Sequence, residues 1–276
     1  MISINIPTQT LFLLDRNVVS VIKDEVAGRK QKGENEQRML ESLKEKDAPQ
    51  YAFSPLVSLT EGEHGREDGR AEKIKQLEKE TAVVARFFSF ARTDSMFLTF
   101  AKYAFAQIFA GLQEASWEAQ AAYRTKAASV ISNPVAPALR RYAEDRLIEL
   151  ARSEGLEKTN PVVALSIACL YGNRNARKVL KPTKPDAAYN VLSDLQIIAW
   201  IASVKAVART MSAELEVCFL TLDGGLEQVL NNIRVVESQL NGDAGVQARL
   251  DYLPLLFTEL GEDDAKDLIN RLYTPS

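Results

Sequence analysis

Four acidic residues, Asp15, Glu61, Asp194 and Asp223, stand at the ends of predicted elements rather than on solvated helix faces. Asp15 closes the apolar run LFLLD, Asp223 closes EVCFLTLD, Asp194 opens an apolar helix, and Glu61 follows a second short strand. In open parallel sheets the carboxyl ends of the strands face one crevice, so strand-end acids from distant segments converge there. Carboxylates brought that close cannot all stay ionised without a counter-charge. Mg2+ or Mn2+ supplies one through oxygen ligands. A carboxylate-held ion also activates water and stabilises charge on a phosphate under attack. The chemistry implied is phosphodiester hydrolysis.

Placing those acids requires strands and helices in alternation. Leu11–Asp15 reads as a buried strand, and Val18, Val19, Ile22 and Val26 follow at helical spacing. Leu40 and Leu43 mark a second amphipathic stretch, Tyr51–Ser54 a second strand, and SPLVSLTEGEHG a helix start carrying Glu61. From Ala71 to about Gly155 the chain reads as helical throughout, about four helices by periodicity. Within it SMFLTFAKYAFAQIFAGLQ is apolar nearly all round, which predicts a buried central helix or an oligomer contact. Phe87, Phe88, Phe97, Phe100, Phe105 and Phe109 recur at helical spacing and are read as core.

The alternation resumes after Asn160-Pro161. Ser193 is read as an N-cap with Asp194 in the first turn. Glu216–Asp223 is a third strand, LEQVLNNIRVVESQL a helix, and two short helical stretches close the chain. The expected fold class is therefore α/β, with a short, mostly parallel central sheet and a large α-helical insertion. Residues 1–70 and 156–242 would form the sheet domain, 71–155 the insertion or a separate bundle, and 243–276 a helical tail.

Composition narrows the chemistry. The one histidine, His64, excludes His-rich zinc sites and HExxH proteases within a single chain. It lies in a polar, Gly-flanked stretch and is read as a loop residue, with Arg66 and Arg70 beside it. Cys169 and Cys218 sit in apolar runs with no CxxC spacing, which predicts buried thiols in a reducing compartment. No signal-peptide pattern opens the sequence and no apolar run reaches membrane-spanning length, so a soluble cytoplasmic protein is expected. The net charge of −3 argues against a basic field over the whole molecule. A local stripe remains open: Arg174, Arg177, Lys181 and Lys184 cluster before Asp194, and Arg16 adjoins the first acid.

Four segments, in order, resemble the motifs of PIN-domain nucleases. LFLLDRNVVSVI is similar to the opening strand and its Asp, SPLVSLTEGEHG to the segment leading to a Glu, VLSDLQIIAWIA to the Asp before an Ala-rich helix, and FLTLDGGL to the Thr-x-Asp strand end. The resemblance covers roughly 11–71 and 160–240, and the helical stretch between the second and third motifs is far longer than in compact family members. It implies a three-layer PIN-like domain in which Asp15, Glu61, Asp194 and Asp223 bind Mg2+ or Mn2+, with Asn17 and Thr221 in support. Glu63 competes with Glu61 for the second position. The activity implied is metal-dependent nuclease action, on RNA ahead of single-stranded or structured DNA. The setting implied is a toxin or defence system with an antitoxin or other protein partner, or a homo-oligomer formed through the insertion. A PIN-like binding module that no longer cuts, and a carboxylate-metal phosphatase acting on small molecules, stand as alternatives.

Overall fold

The computed structural model describes residues 9–62, 68–110, 117–211, 214–240 and 246–274. They divide into two compact units, Met1–Leu112 with Ala199–Asp223, and Gln113–Ile198 with Gly224–Ser276. These boundaries do not coincide with the division expected at residues 71 and 156.

The first unit is α/β. Strand β1 (Thr10–Leu14) leads into helix α1 (Arg16–Val26) and helix α2 (Glu34–Glu45), and strand β2 (Tyr51–Ser54) follows. A 3-10 turn over Leu56–Thr60, helix α3 (Arg70–Phe87) and strand β3 (Arg92–Thr93) come next, then helices α4 (Ser95–Phe100) and α5 (Lys102–Ala110). Strand β4 (Glu216–Leu220) completes a four-stranded sheet in the order β3-β2-β1-β4, every pair parallel. The continuous apolar run of β1 is what a central parallel strand needs, since both faces are covered. Leu13 and Leu14 are fully buried, as are Val18, Val19 and Ile22 at one-turn spacing on α1. Phe53 of β2 lies between Phe12 and Phe88, with ring centroids 5.1 and 3.9 Å apart. Burying each such side chain contributes about 1.5–3 kcal/mol.

Strand β3 corrects the reading of residues 71–155 as helical throughout. The reason lies outside the segment. Asp47, just past α2, accepts the backbone N–H groups of Ser89, Phe90 and Ala91 at 2.9, 2.9 and 2.7 Å. Those bonds turn the chain after α3 and lay Arg92–Thr93 beside Ala52–Phe53. The apolar stretch that follows is not one buried helix either. It breaks at Ala101, and Met96, Phe97 and Phe100 are 87%, 60% and 89% exposed. Phe88 and Phe109 are core, whereas Phe97 and Phe100 are not.

In the second unit helices α6 (Trp117–Ile131), α7 (Arg140–Ser153), α8 (Pro161–Leu170) and α9 (Arg174–Leu180) precede α10 (Ala188–Met211), whose residues are shared between the units. Asn160 caps α8 by accepting from Val162 N–H at 3.0 Å, and every residue from Val162 to Leu170 is buried. Helix α10 starts before Ser193, so Asp194 is not in its first turn. Val191, Leu195, Ile198 and Ala202 form a buried stripe that carries the helix through the Ser-Asp pair. Beyond β4, helix α11 (Gly224–Leu230) is short, and strands β5 (Ile233–Leu240) and β6 (Val246–Tyr252) pair antiparallel. The expected single helix over LEQVLNNIRVVESQL ends at Asn231-Asn232. The β-branched run after those asparagines favours a strand. Two short helical stretches close the chain as expected, a 3-10 turn over Pro254–Leu256 and helix α12 (Glu262–Tyr273), whereas β6 corrects the reading of 243–276 as a helical tail. No helix among the described residues is long and apolar enough to cross a membrane.

Candidate functional site

Register decides which side chains meet at the carboxyl edge of the sheet. Leu14 of β1 lies opposite Leu220 of β4, and Asp15 N–H donates to Leu220 C=O at 2.9 Å. Asp15 therefore leaves the sheet alongside Thr221. It also caps α1, where a carboxylate suits the exposed N–H groups and the positive end of the helix.

A closed hydrogen-bond ring holds this corner. The Asp15 carboxylate accepts Arg16 N–H on Oδ1 at 2.7 Å. Its Oδ2 accepts the Asn17 amide at 2.6 Å and the Thr221 hydroxyl at 2.5 Å. Asn17 Oδ1 in turn accepts Leu222 N–H at 2.9 Å, and Thr221 Oγ1 accepts Asp223 N–H at 2.9 Å. The N-cap and one residue of α1, with three residues after β4 over 200 positions away in sequence, thus fix one another.

Electrostatics sharpen the picture. Asp15 is 3% exposed, and burial raises its pKa above the ordinary carboxylate value. The three donors oppose that shift, and the nearby negative charge of Asp223 adds to it. Two carboxylates that close disfavour each other's charged form, and a counter-charge relieves that repulsion.

Glu61 ends the 3-10 turn in an extended conformation rather than riding on a helix. Its segment is fastened from two sides. The Arg16 guanidinium donates to Gly62 C=O, and the Lys73 ammonium, 2% exposed, donates to Leu59 C=O at 2.5 Å and Glu61 C=O at 3.1 Å. Burial lowers the Lys73 pKa, and the charge of Asp68 opposes that shift. Arg16, expected as a phosphate contact, is thus engaged in holding a loop. Glu63, His64 and Arg66 lie outside the described residues.

Asp194 belongs to the second unit. Its carboxylate is 3.8 Å from the Lys181 ammonium. The structure thus brings Asp15, Asn17, Thr221 and Asp223 together and ties Gly62, the residue after Glu61, to Arg16, the residue after Asp15.

One acid on the same sheet edge escaped the sequence reading. Asp94 follows β3 as Ser54 ends β2, and the register places them side by side. Burial pushes the Asp94 carboxyl up to about 6 against a hydrogen bond from the Ser54 hydroxyl. Its Oδ1 has no hydrogen-bond partner among the described residues. The only sequence signal was Thr-Asp-Ser ahead of a helix, masked by a two-residue strand.

The donor set at Asp15 and Asp223 consists of the oxygen ligands that Mg2+ and Mn2+ prefer. Among the described residues, no three His, Cys, Asp or Glu side chains are gathered closely enough to hold an ion. The fit rests on the Asp15–Asp223 pair. Comparison with family models, with curated proteins and with solved structures finds no match for this chain.

Proposed function

We propose that this chain is a divalent-metal-dependent nuclease with a PIN-like, three-layer first domain, acting on RNA as an endoribonuclease of toxin or defence type. The observation that supports it is the Asp15–Asn17–Thr221–Asp223 ring at the carboxyl ends of two adjacent parallel strands. That is where open α/β sheets bind ligands, and the ring orients the Asp15 carboxylate there with Asp223 close enough to act on it.

Asp15 and Asp223 would hold Mg2+ or Mn2+, which when bound supplies Lewis acidity and an activated water. Asn17 and Thr221 orient the Asp15 carboxylate by donating to one oxygen, which leaves its remaining lone pairs for a ligand. Lys73 and Arg16 position the Glu61 segment through its carbonyls. Asp194 enters on its place in the sequence pattern alone, and its substitution is an independent test. A second reading, a non-cutting interaction module, is favoured by the exposed Met96, Phe97 and Phe100 of α4.

Incubation of the full chain with single-stranded RNA and Mn2+ distinguishes the two. The nuclease reading expects cleavage that EDTA stops and that Asp15→Asn abolishes in a protein with an unchanged circular-dichroism spectrum. RNA left intact across Mg2+ and Mn2+ titrations would leave the interaction module.

A further inference from the structure

The second unit carries a concentration of positive charge on a chain whose net charge is −3. Arg177, Lys178, Lys181 and Lys184, with Ser132 and Thr183, line a concavity of about 230 Å³ at the end of α9 and the loop after it. The composition differs from the stripe expected from sequence. Lys178 joins it, Arg174 does not line it, and the Arg177 guanidinium is committed to the carbonyls of Ile131, Ser132 and Cys169.

The frame beneath this concavity is fixed. Arg124, 5% exposed, reaches from α6 under the loop and donates to Leu180 C=O at 3.1 Å, Lys181 C=O at 2.9 Å and Lys184 C=O at 2.7 Å. One buried guanidinium thus turns three carbonyls inward, away from the surface where an anion would approach. Lys181 takes a left-handed conformation, φ 46°, which ends α9, and Lys184 N–H donates back to Lys181 C=O at 2.9 Å. Acids neutralise the site only in part. Asp194 stands 3.8 Å from Lys181, Asp186 lies close enough to act on Arg124, and Lys178 and Lys184 make no ion pair among the described residues.

We infer that this concavity binds phosphate groups of a single-stranded RNA chain. Small-molecule pockets run to about 300–1,000 Å³, so this one suits a phosphate and part of its sugar rather than a whole ligand. Lysines as rotatable point charges track a backbone without reading its bases. The choice of RNA as the source of the phosphates rests on the nuclease reading; the anion site itself does not.

The test uses the full chain, fluorescein-labelled oligouridylates of two and twelve nucleotides, and EDTA throughout, so that binding is read without cleavage. The twelve-nucleotide probe should bind more tightly than the dinucleotide. The double substitution Lys178→Gln/Lys184→Gln, at two exposed positions, should weaken it about 10-fold at 0.1 M salt. It should also lower the slope of log affinity against log salt by about 0.7, the contribution of one neutralised phosphate on a single strand. An unchanged affinity and slope in the double variant would overturn the site even if Mn2+-dependent cleavage is observed. Equal affinity for the two lengths would mean a small phosphate ester and overturn the strand assignment. Binding that depends on both lysines in a protein that never cleaves RNA would uphold the anion site and overturn the nuclease reading instead.

Discussion

Two acids sit on one edge of the same parallel sheet, and their surroundings differ. At the β1–β4 end Asp15 receives three donors and has a second carboxylate, Asp223, close by. At the β3–β2 end Asp94 receives the Ser54 hydroxyl, and one of its oxygens has no partner among the described residues. Burial raises both carboxyls. Three donors orient the Asp15 carboxylate, whereas burial lifts the Asp94 carboxyl to about 6 against the Ser54 hydroxyl. Strand-end position alone therefore does not set an acid's surroundings; the donors around it do.

The comparison can be broken by substitution. The largest effect is expected from Asp15→Asn, which should lower Mn2+-dependent RNA cleavage about 100-fold or more. Asp94→Asn should leave cleavage within about 3-fold, and initial rates on a labelled single-stranded RNA measure both. Equal losses would erase the distinction between the two ends.

Next comes the pH dependence of stability. The Asp94 carboxyl stands near 6 in the folded chain against a reference of 3.8. The folded state then binds more protons between those values. Its contribution is full below 3.8 and is lost as pH rises through 6. Asp94→Asn removes that titration. Its stability relative to wild type should rise by on the order of 3 kcal/mol across the window and stay level above it, as urea titrations at several pH values would show. A flat difference would place Asp94 in ordinary solvent.

The smallest effect sharpens the Asp15 side. Thr221→Val keeps shape but removes the hydroxyl that donates to Asp15 Oδ2 and accepts Asp223 N–H. Cleavage should fall about 10-fold, and the Mn2+ concentration for half-activity should rise, because ligand orientation is lost rather than a ligand. Loss as large as that from Asp15→Asn would mean that Thr221 does more than orient.

Much of the Asp15 corner was legible in sequence because strand β1 is continuous and apolar, and because Asp15, Asn17, Thr221 and Asp223 are all local to two strand ends. The α/β class followed from the same alternation. Strand β3 was hidden because its cause is remote: Asp47 fastens Ser89–Ala91 from 42 to 44 residues away. The start of α10 was hidden because Ser193 has the look of a cap, while the buried stripe from Val191 to Ala202 runs through it. The β5–β6 hairpin was hidden because only Asn231-Asn232 separate α11 from β5, and apolar residues on both sides read as one helical period. Register, tertiary caps and packing decide these places, and none is a property of a local window.

The most direct test of the account is a crystal of the full chain soaked in Mn2+ and measured at a wavelength where manganese scatters anomalously. The account predicts a peak within coordination distance of both the Asp15 and Asp223 carboxylates, absent in Asp15→Asn crystals. Carboxylates turned apart with no peak between them, in crystals that bind Mn2+ elsewhere, would contradict it.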